Sequence, residues 1–197
     1  HTSLCKFYFT QIYSKRKKLS MKNLEKIVFG GGCFWCVEAV FQMLRGVESV
    51  TSGYTGGTKD NPTYFNAEAT GHVEAVEVTF DPSIVHLDDL LAVFFSTHDP
   101  TSHNRQGADV GPQYRSVIFY TISEQRAEIE SFIKKLGEEK TFSQPIVTEV
   151  ETLATFYPAE SYHQNFYQKN QGEPYCEVVI DPKIAKLRQK FSHLLKS

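Results

Sequence analysis

Lys26-Ile27-Val28-Phe29-Gly30-Gly31-Gly32-Cys33-Phe34-Trp35-Cys36-Val37-Glu38-Ala39-Val40-Phe41 is the stretch from which the rest of the chain can be read. It opens with a short apolar, β-prone run, passes through three glycines, and continues with Val37, Val40, Phe41 and Leu44 at helical spacing. That pattern is strand, tight turn, helix, with Gly46 near the helix end. The glycines let the backbone turn sharply. They leave Cys33 at the helix N-terminus, where unpaired N–H groups and the macrodipole favour an anion. A cysteine so placed is expected to have a lowered pKa and to present the reactive thiolate. Cys36 follows after two intervening residues, the separation that permits a redox-active pair.

Other readings of this segment fare worse. A dinucleotide fingerprint requires G-x-G-x-x-G, and Trp35 occupies the third glycine position; no G-K-[ST] follows for a P-loop. A zinc site needs two further ligands, and only His98 and His103 have regular spacing. A pair of inert buried cysteines is the plainest alternative. A thioredoxin-like exchanger would carry a Gly-Pro spacer between the cysteines, which this chain lacks.

Outward from this segment, strands and helices interleave without internal repeats. Val47 to Tyr54 reads as a short or edge strand, and Val73 to Phe80 alternates with period two and ends at Asp81-Pro82. Leu87 to Thr97 reads as a helix with Leu90, Leu91, Phe94 and Phe95 on one face. Ser96 to Tyr114 reads as a long, function-bearing loop. A strand at 116–120, a helix at 123–136 capped by Ser123, a strand at 147–153 and a short helix at 160–169 follow. Residues 177–180 suit an edge strand or tail, and 184–195 a C-terminal helix. The fold class is α+β, one domain with a central mixed sheet and flanking helices.

Composition narrows the function classes. The chain has 197 residues, 41% hydrophobic and 22% charged, enough for a proper core. No run reaches the ~18 apolar residues of a membrane span. Four cysteines, Cys5, Cys33, Cys36 and Cys176, are too few for a disulfide framework. The formal charge of −2 hides an asymmetry: residues 1–20 carry Lys6, Lys15, Arg16, Lys17 and Lys18 and no acid, and all 23 acidic residues lie beyond them. An acidic body does not suit nucleic acid. Residues 1–21 read as a basic arm, either a remnant of upstream sequence before Met21 or a targeting segment, and 22–197 as the functional domain. A cytoplasmic location is expected, with an organelle as the alternative if the arm is a transit peptide.

At the Gly32-Cys33-Phe34-Trp35-Cys36 motif the chain resembles the peptide methionine sulfoxide reductase A family. Further segments match in order: Gly53-Tyr54-Thr55-Gly56-Gly57, Asn61-Pro62-Thr63-Tyr64, Gly71-His72-Val73-Glu74-Ala75-Val76, His98-Asp99-Pro100, Arg105-Gln106-Gly107-Ala108-Asp109, Gln113-Tyr114-Arg115-Ser116, Phe156-Tyr157-Pro158-Ala159-Glu160 and His163-Gln164. The segment Phe65 to Thr70 is shorter than in many members.

The resemblance implies a ferredoxin-like two-layer core with long loops. It also implies an oxidoreductase that uses thiols to reduce the S epimer of methionine sulfoxide, free or in proteins, as repair of oxidative damage. Cys33 would be the nucleophile, passing through a sulfenic acid. Glu74 would be the acid, kept protonated by burial. Tyr64 and Tyr114 would donate to the sulfoxide oxygen, and Asp109 would orient the site or steady Tyr114. Phe34 and Trp35 would receive the methyl group, and His72 would support Glu74. Cys176, on a segment free to reach in, and Cys36 are the two candidates to resolve the sulfenic acid. The disulfide would be recycled by thioredoxin or a similar dithiol reductant. No metal or organic cofactor is implied, and the enzyme is expected to be a monomer.

Overall fold

A computed structural model describes residues 23–197, so the basic arm expected at 1–21 lies outside the described residues. The opening segment forms strand, turn and helix, with one shifted boundary. β1 spans Glu25–Gly31, and Gly30 and Gly31 pair with Val117 and Ser116 as its last residues. The turn is left to Gly32, whose φ of +92° is one that residues with a Cβ avoid. α1 (Phe34–Gln42) follows, then β2 (Val47–Thr55), β3 (Val73–Phe80) and α2 (Leu87–Thr97). The expected long loop holds a small hairpin, β4 (Arg105–Gln106) with β5 (Asp109–Val110), and a 3-10 turn at Pro112–Tyr114. β6 (Ser116–Tyr120), α3 (Ser123–Glu138), β7 (Glu149–Thr152) and β8 (Tyr157–Pro158) come next.

The sheet order is β7-β6-β1-β3-β2-β8. Its four inner strands, β6-β1-β3-β2, are antiparallel and belong to one βαββαβ run, the ferredoxin-like split arrangement. β7 joins parallel to β6, which makes the sheet mixed. β2 is longer than the sequence suggested and is paired on both sides, because β8 covers its outer edge. Strand alternation sorts residues between the two faces. Ile27, Phe29, Val76, Val78, Phe80 and Ile118 meet the helices, and Val28, Val73, Ala75, Val117 and Phe119 form a smaller cluster with Leu153 and Phe156. Phe29 joins the layers: its ring stacks on Phe41 of α1 at 4.7 Å and meets Phe94 of α2 at 4.8 Å.

The C-terminal part departs most from the sequence reading. The helix expected at 160–169 is broken into a 3-10 turn, Ser161–His163, and α4 (Phe166–Lys169), because Asn165 takes φ +56° between them. Residues 177–180 are not an edge strand: Cys176–Ile180 form a π-helical turn leading into α5 (Asp181–Lys190). The last helix therefore starts and stops earlier than hydrophobic spacing suggested, and a 3-10 turn at Ser192–Leu194 follows. Ser123 does not cap α3; Ile122 holds the N-cap position without a side-chain bond. No helix among the described residues is long and apolar enough to cross a membrane.

Gly32→Ala tests the turn. A Cβ there would lie 2.7 Å from Gln106 Cγ, and Gln106 is buried and bonded to Asp99 through both ends of its amide. The left-handed backbone alone costs about 1–2 kcal/mol. Calorimetry should show Tm lowered by about 3–6 °C.

Candidate active site

Alternation in β3 puts Glu74 on the helix-covered face with Val76 and Val78, whereas Glu77 reaches the other face and pairs with Lys26 at 2.8 Å. Glu74 is 4% exposed, and its Oε2 accepts the Phe34 N–H at 3.2 Å, at the first residue of α1. The carboxyl group therefore sits beside Cys33, the residue that precedes the helix. Burial raises Glu74 from 4.5 to about 8, against the Phe34 bond, which lowers it. At neutral pH it carries a proton.

Cys33 is 8% exposed and Cys36 1%. Burial is the largest influence on Cys33 and pushes its thiol well up; the neighbouring Cys36 adds to this. The hydrogen bond from Cys33 brings Cys36 down to about 7, against burial and with help from Lys183. The lowered pKa expected at Cys33 from the helix terminus is thus not what the closed site produces. Desolvation outweighs the dipole, and the charge shared by the pair is favoured on Cys36.

The tyrosines converge on the same place. Burial first, and Glu74 next, raise the phenols of Tyr64 and Tyr114, with Cys33 and Asp109 adding to both. Both stay protonated and able to donate. Tyr64 is 40% exposed and its backbone N–H donates to Glu160 Oε1 at 3.1 Å, while Tyr54 OH donates to Glu160 Oε2 at 2.8 Å. Asp109 accepts from Tyr175 OH at 3.0 Å, so its hydrogen-bond partner is Tyr175 rather than Tyr114.

Phe34 and Trp35 play unequal parts. Phe34 is fully buried, with rings of Tyr54 and His163 at 5.7 and 5.0 Å. Trp35 is part-exposed and held on three sides: stacked on Phe166 at 3.7 Å, edge-on to Tyr175 at 5.7 Å, and donating from Nε1 to His163 Nδ1 at 3.1 Å. Phe166 is itself fixed by α1, because the buried Glu38 accepts the Asn165 and Phe166 N–H groups at 2.9 and 3.2 Å.

Some expected placements differ. Cys176 is 1% exposed inside the π-helical turn rather than on a free segment, and burial raises its thiol. His72 hydrogen-bonds Thr70 Oγ1 through Nδ1 at 2.7 Å, not Glu74. Tyr175, whose hydroxyl lies 3.7 Å from Cys36 Sγ, was missed by sequence reasoning, as were His163, Glu38 and Glu160. The signal was present in part: His163-Gln164 and Glu160 lie in the matching motifs and Tyr175 adjoins the candidate resolver Cys176, but no periodicity marks them. A cavity of about 510 Å³ reaches Cys33 and is lined also by His98, Asp109, Tyr175 and Lys183, while Trp35 and Tyr64 do not line it.

The chain matches the family described as peptide methionine sulfoxide reductase over residues 25–195. It is 56% identical over 174 residues to a Deinococcus radiodurans protein named peptide methionine sulfoxide reductase MsrA, covering 87% of this chain and 84% of that protein. Among solved structures it is similar to Mxr1 from Saccharomyces cerevisiae in reduced form, with TM-score 0.70 and 30% identity over 79% of this chain and 91% of that one. Mxr1 in complex with Trx2 has a similar fold, with TM-score 0.51 and 20% identity over 76% and 91% of the two chains. With its whole described sheet inside the matching span, the chain belongs to the peptide methionine sulfoxide reductase family, a family of oxidoreductases.

Proposed function

We propose that this chain reduces the S epimer of methionine sulfoxide, free or in polypeptides, with Cys33 as nucleophile and Glu74 as acid. The observation that carries this reading is the neutral Glu74 carboxyl, buried at the start of α1 next to the Cys33 thiol. A sulfoxide oxygen leaves sulfur only if it is protonated, so the site needs a proton donor that survives neutral pH. Tyr64 and Tyr114 hold the oxygen, and Glu74 donates its proton to it. Cys33 sulfur attacks the substrate sulfur, giving up its thiol proton to Glu74. The attack forms a sulfur–sulfur bond and leaves the oxygen as a hydroxyl on the substrate sulfur. That hydroxyl then passes to Cys33, so that the substrate S–O bond and the new S–S bond break, a Cys33 S–O bond forms, methionine leaves, and Cys33 becomes a sulfenic acid. The substrate gains two electrons and Cys33 loses two. Trp35 receives the methyl group with Phe34 as its backing, so that with the oxygen also held, one epimer presents its sulfur to Cys33. Asp109 acts through Tyr175.

Resolution begins at Cys36. Its hydrogen bond with Cys33 and its favoured charge support it as first attacker of the sulfenic sulfur, releasing water and leaving a Cys33–Cys36 disulfide. Cys176, buried at the start of the turn that Tyr175 precedes, then exchanges with Cys36 and frees Cys33. A dithiol protein of the thioredoxin class reduces the final disulfide; the yeast relative's complex with Trx2 supports this partner. The catalytic domain spans 22–197, works as a monomer without metal or organic cofactor, and suits a reducing, cytoplasmic compartment.

Glu74→Gln should lower kcat/KM for N-acetyl-methionine sulfoxide by about 10²–10³. In the unsubstituted protein kcat/KM should fall as pH rises through about 8, and the variant should lack that limb. Because the folded carboxyl titrates above its ordinary 4.5, stability should decline between that value and about pH 8. Glu74→Gln should remove the decline, making the variant less active yet relatively more stable in alkali; an equally active variant would refute the acid role.

The cysteine roles separate in single-turnover experiments. Cys33→Ser should release no methionine. Cys36→Ser should release one equivalent and stall with a sulfenic acid trappable by dimedone. Cys176→Ser should form the Cys33–Cys36 disulfide and turn over with dithiothreitol but slowly with thioredoxin. Unimpaired thioredoxin-driven turnover by Cys36→Ser would make Cys176 the first resolver.

A further inference from the structure

Three exposed aromatic rings lie on the Trp35–His163 side of the site. Phe65 is 89% exposed, Tyr162 57% and Tyr64 40%. Phe65 belongs to a hydrogen-bonded turn. Thr63 N–H donates to Asn66 Oδ1 at 2.7 Å, Ala67 N–H to Thr63 O at 2.9 Å and Thr70 Oγ1 to Asn66 O at 2.9 Å, and Ala67 is buried beneath it. The turn is tied to the C-terminal part by the Tyr64 N–H on Glu160. A large apolar ring held outward in this way gains nothing from the fold itself.

The rings form a row that begins at the site. Trp35 donates to His163; His163 lies 4.7 Å from the Tyr64 ring and 4.2 Å from the Tyr162 ring; Tyr64 meets Phe65 edge-on at 5.8 Å. An extended chain advances roughly 3.3–3.6 Å per residue. Each ring-to-ring step of the row, 4.2 to 5.8 Å, is thus comparable to one or two residues of an extended chain leaving a methionine seated against Trp35.

We propose that Phe65, Tyr162 and the outer edge of Tyr64 bind an apolar or aromatic side chain flanking the oxidised methionine, so that this chain favours sulfoxides in extended polypeptide next to such residues. The inference rests on the reductase reading and names the substrate class of the same site. Aromatic faces favour apolar and aromatic groups over a carboxylate, and Phe65 supplies the exposed area that a single free amino acid would not cover.

The test compares kcat/KM for short blocked peptides that carry methionine sulfoxide beside Phe, Leu, Gly, Asp or Lys at either neighbouring position, with dithiothreitol as reductant. The Phe and Leu peptides should exceed the Gly peptide by about fivefold, mostly through KM. Phe65→Ser should bring that ratio close to one while leaving N-acetyl-methionine sulfoxide kinetics unchanged, and Tyr162→Ser provides an independent second variant. Equal values across the peptides, a Lys or Asp flank matching Phe, or a preference that survives both variants would overturn the inference. Failure to reduce N-acetyl-methionine sulfoxide at all would instead overturn the reductase reading.

Discussion

The contact between the Glu74 carboxyl and the Phe34 amide is the constraint on which the site depends. It joins the middle of the sheet to the start of α1 and places an acid, a thiol and a helix N-terminus together. Two effects oppose each other there. A helix terminus favours the carboxylate by about 1 kcal/mol. Removal from water favours the neutral acid, and a rise from 4.5 to about 8 corresponds to roughly 5 kcal/mol. Burial wins, and the carboxyl becomes a proton donor. The same balance governs Cys33, whose thiol is raised despite its position at the helix start.

The remainder of the molecule closes this place off. Glu38, one helical turn beyond Trp35, holds the backbone at Asn165 and Phe166, and Phe166 stacks on Trp35. Gln164 binds the Ser52 backbone through both its amide oxygen and nitrogen, at 3.0 and 2.8 Å. Glu160 gathers Tyr54 and Tyr64. The C-terminal part therefore acts as a clamp on α1 and β2, and its irregular turns follow from these side-chain bonds rather than from hydrophobic periodicity. Buried polar groups that are fully bonded specify one arrangement.

Much of the site was legible beforehand because two periodicities are strong in this chain. The glycine-rich passage from β1 into α1 places Cys33 at a helix start and the alternation of Val73–Phe80 marks a strand, whereas Glu74 was singled out by the resemblance of its motif rather than by periodicity. What misled was local reasoning about groups whose surroundings come from afar. Gly30 and Gly31 looked like turn residues but complete a strand, because β6 offers them partners. Cys176 was expected on a segment free to reach in, yet a π-helical turn folds it inward. Asp109 finds Tyr175, a residue 66 positions away, and no spacing rule reaches that far.

By itself the sequence determined the long strands and helices from β1 to α3, a glycine turn ending at Gly32, and the position of the reactive thiol at a helix N-terminus. These depend on backbone sterics and on side-chain periods of two and 3.6, which act between near neighbours. Only the tertiary structure decided which groups carry protons, which cysteine is paired with Cys33, and what holds Trp35. Those outcomes depend on desolvation and on hydrogen bonds between segments more than a hundred residues apart, as between Trp35 and His163, and such terms exist only once the chain has closed around the site.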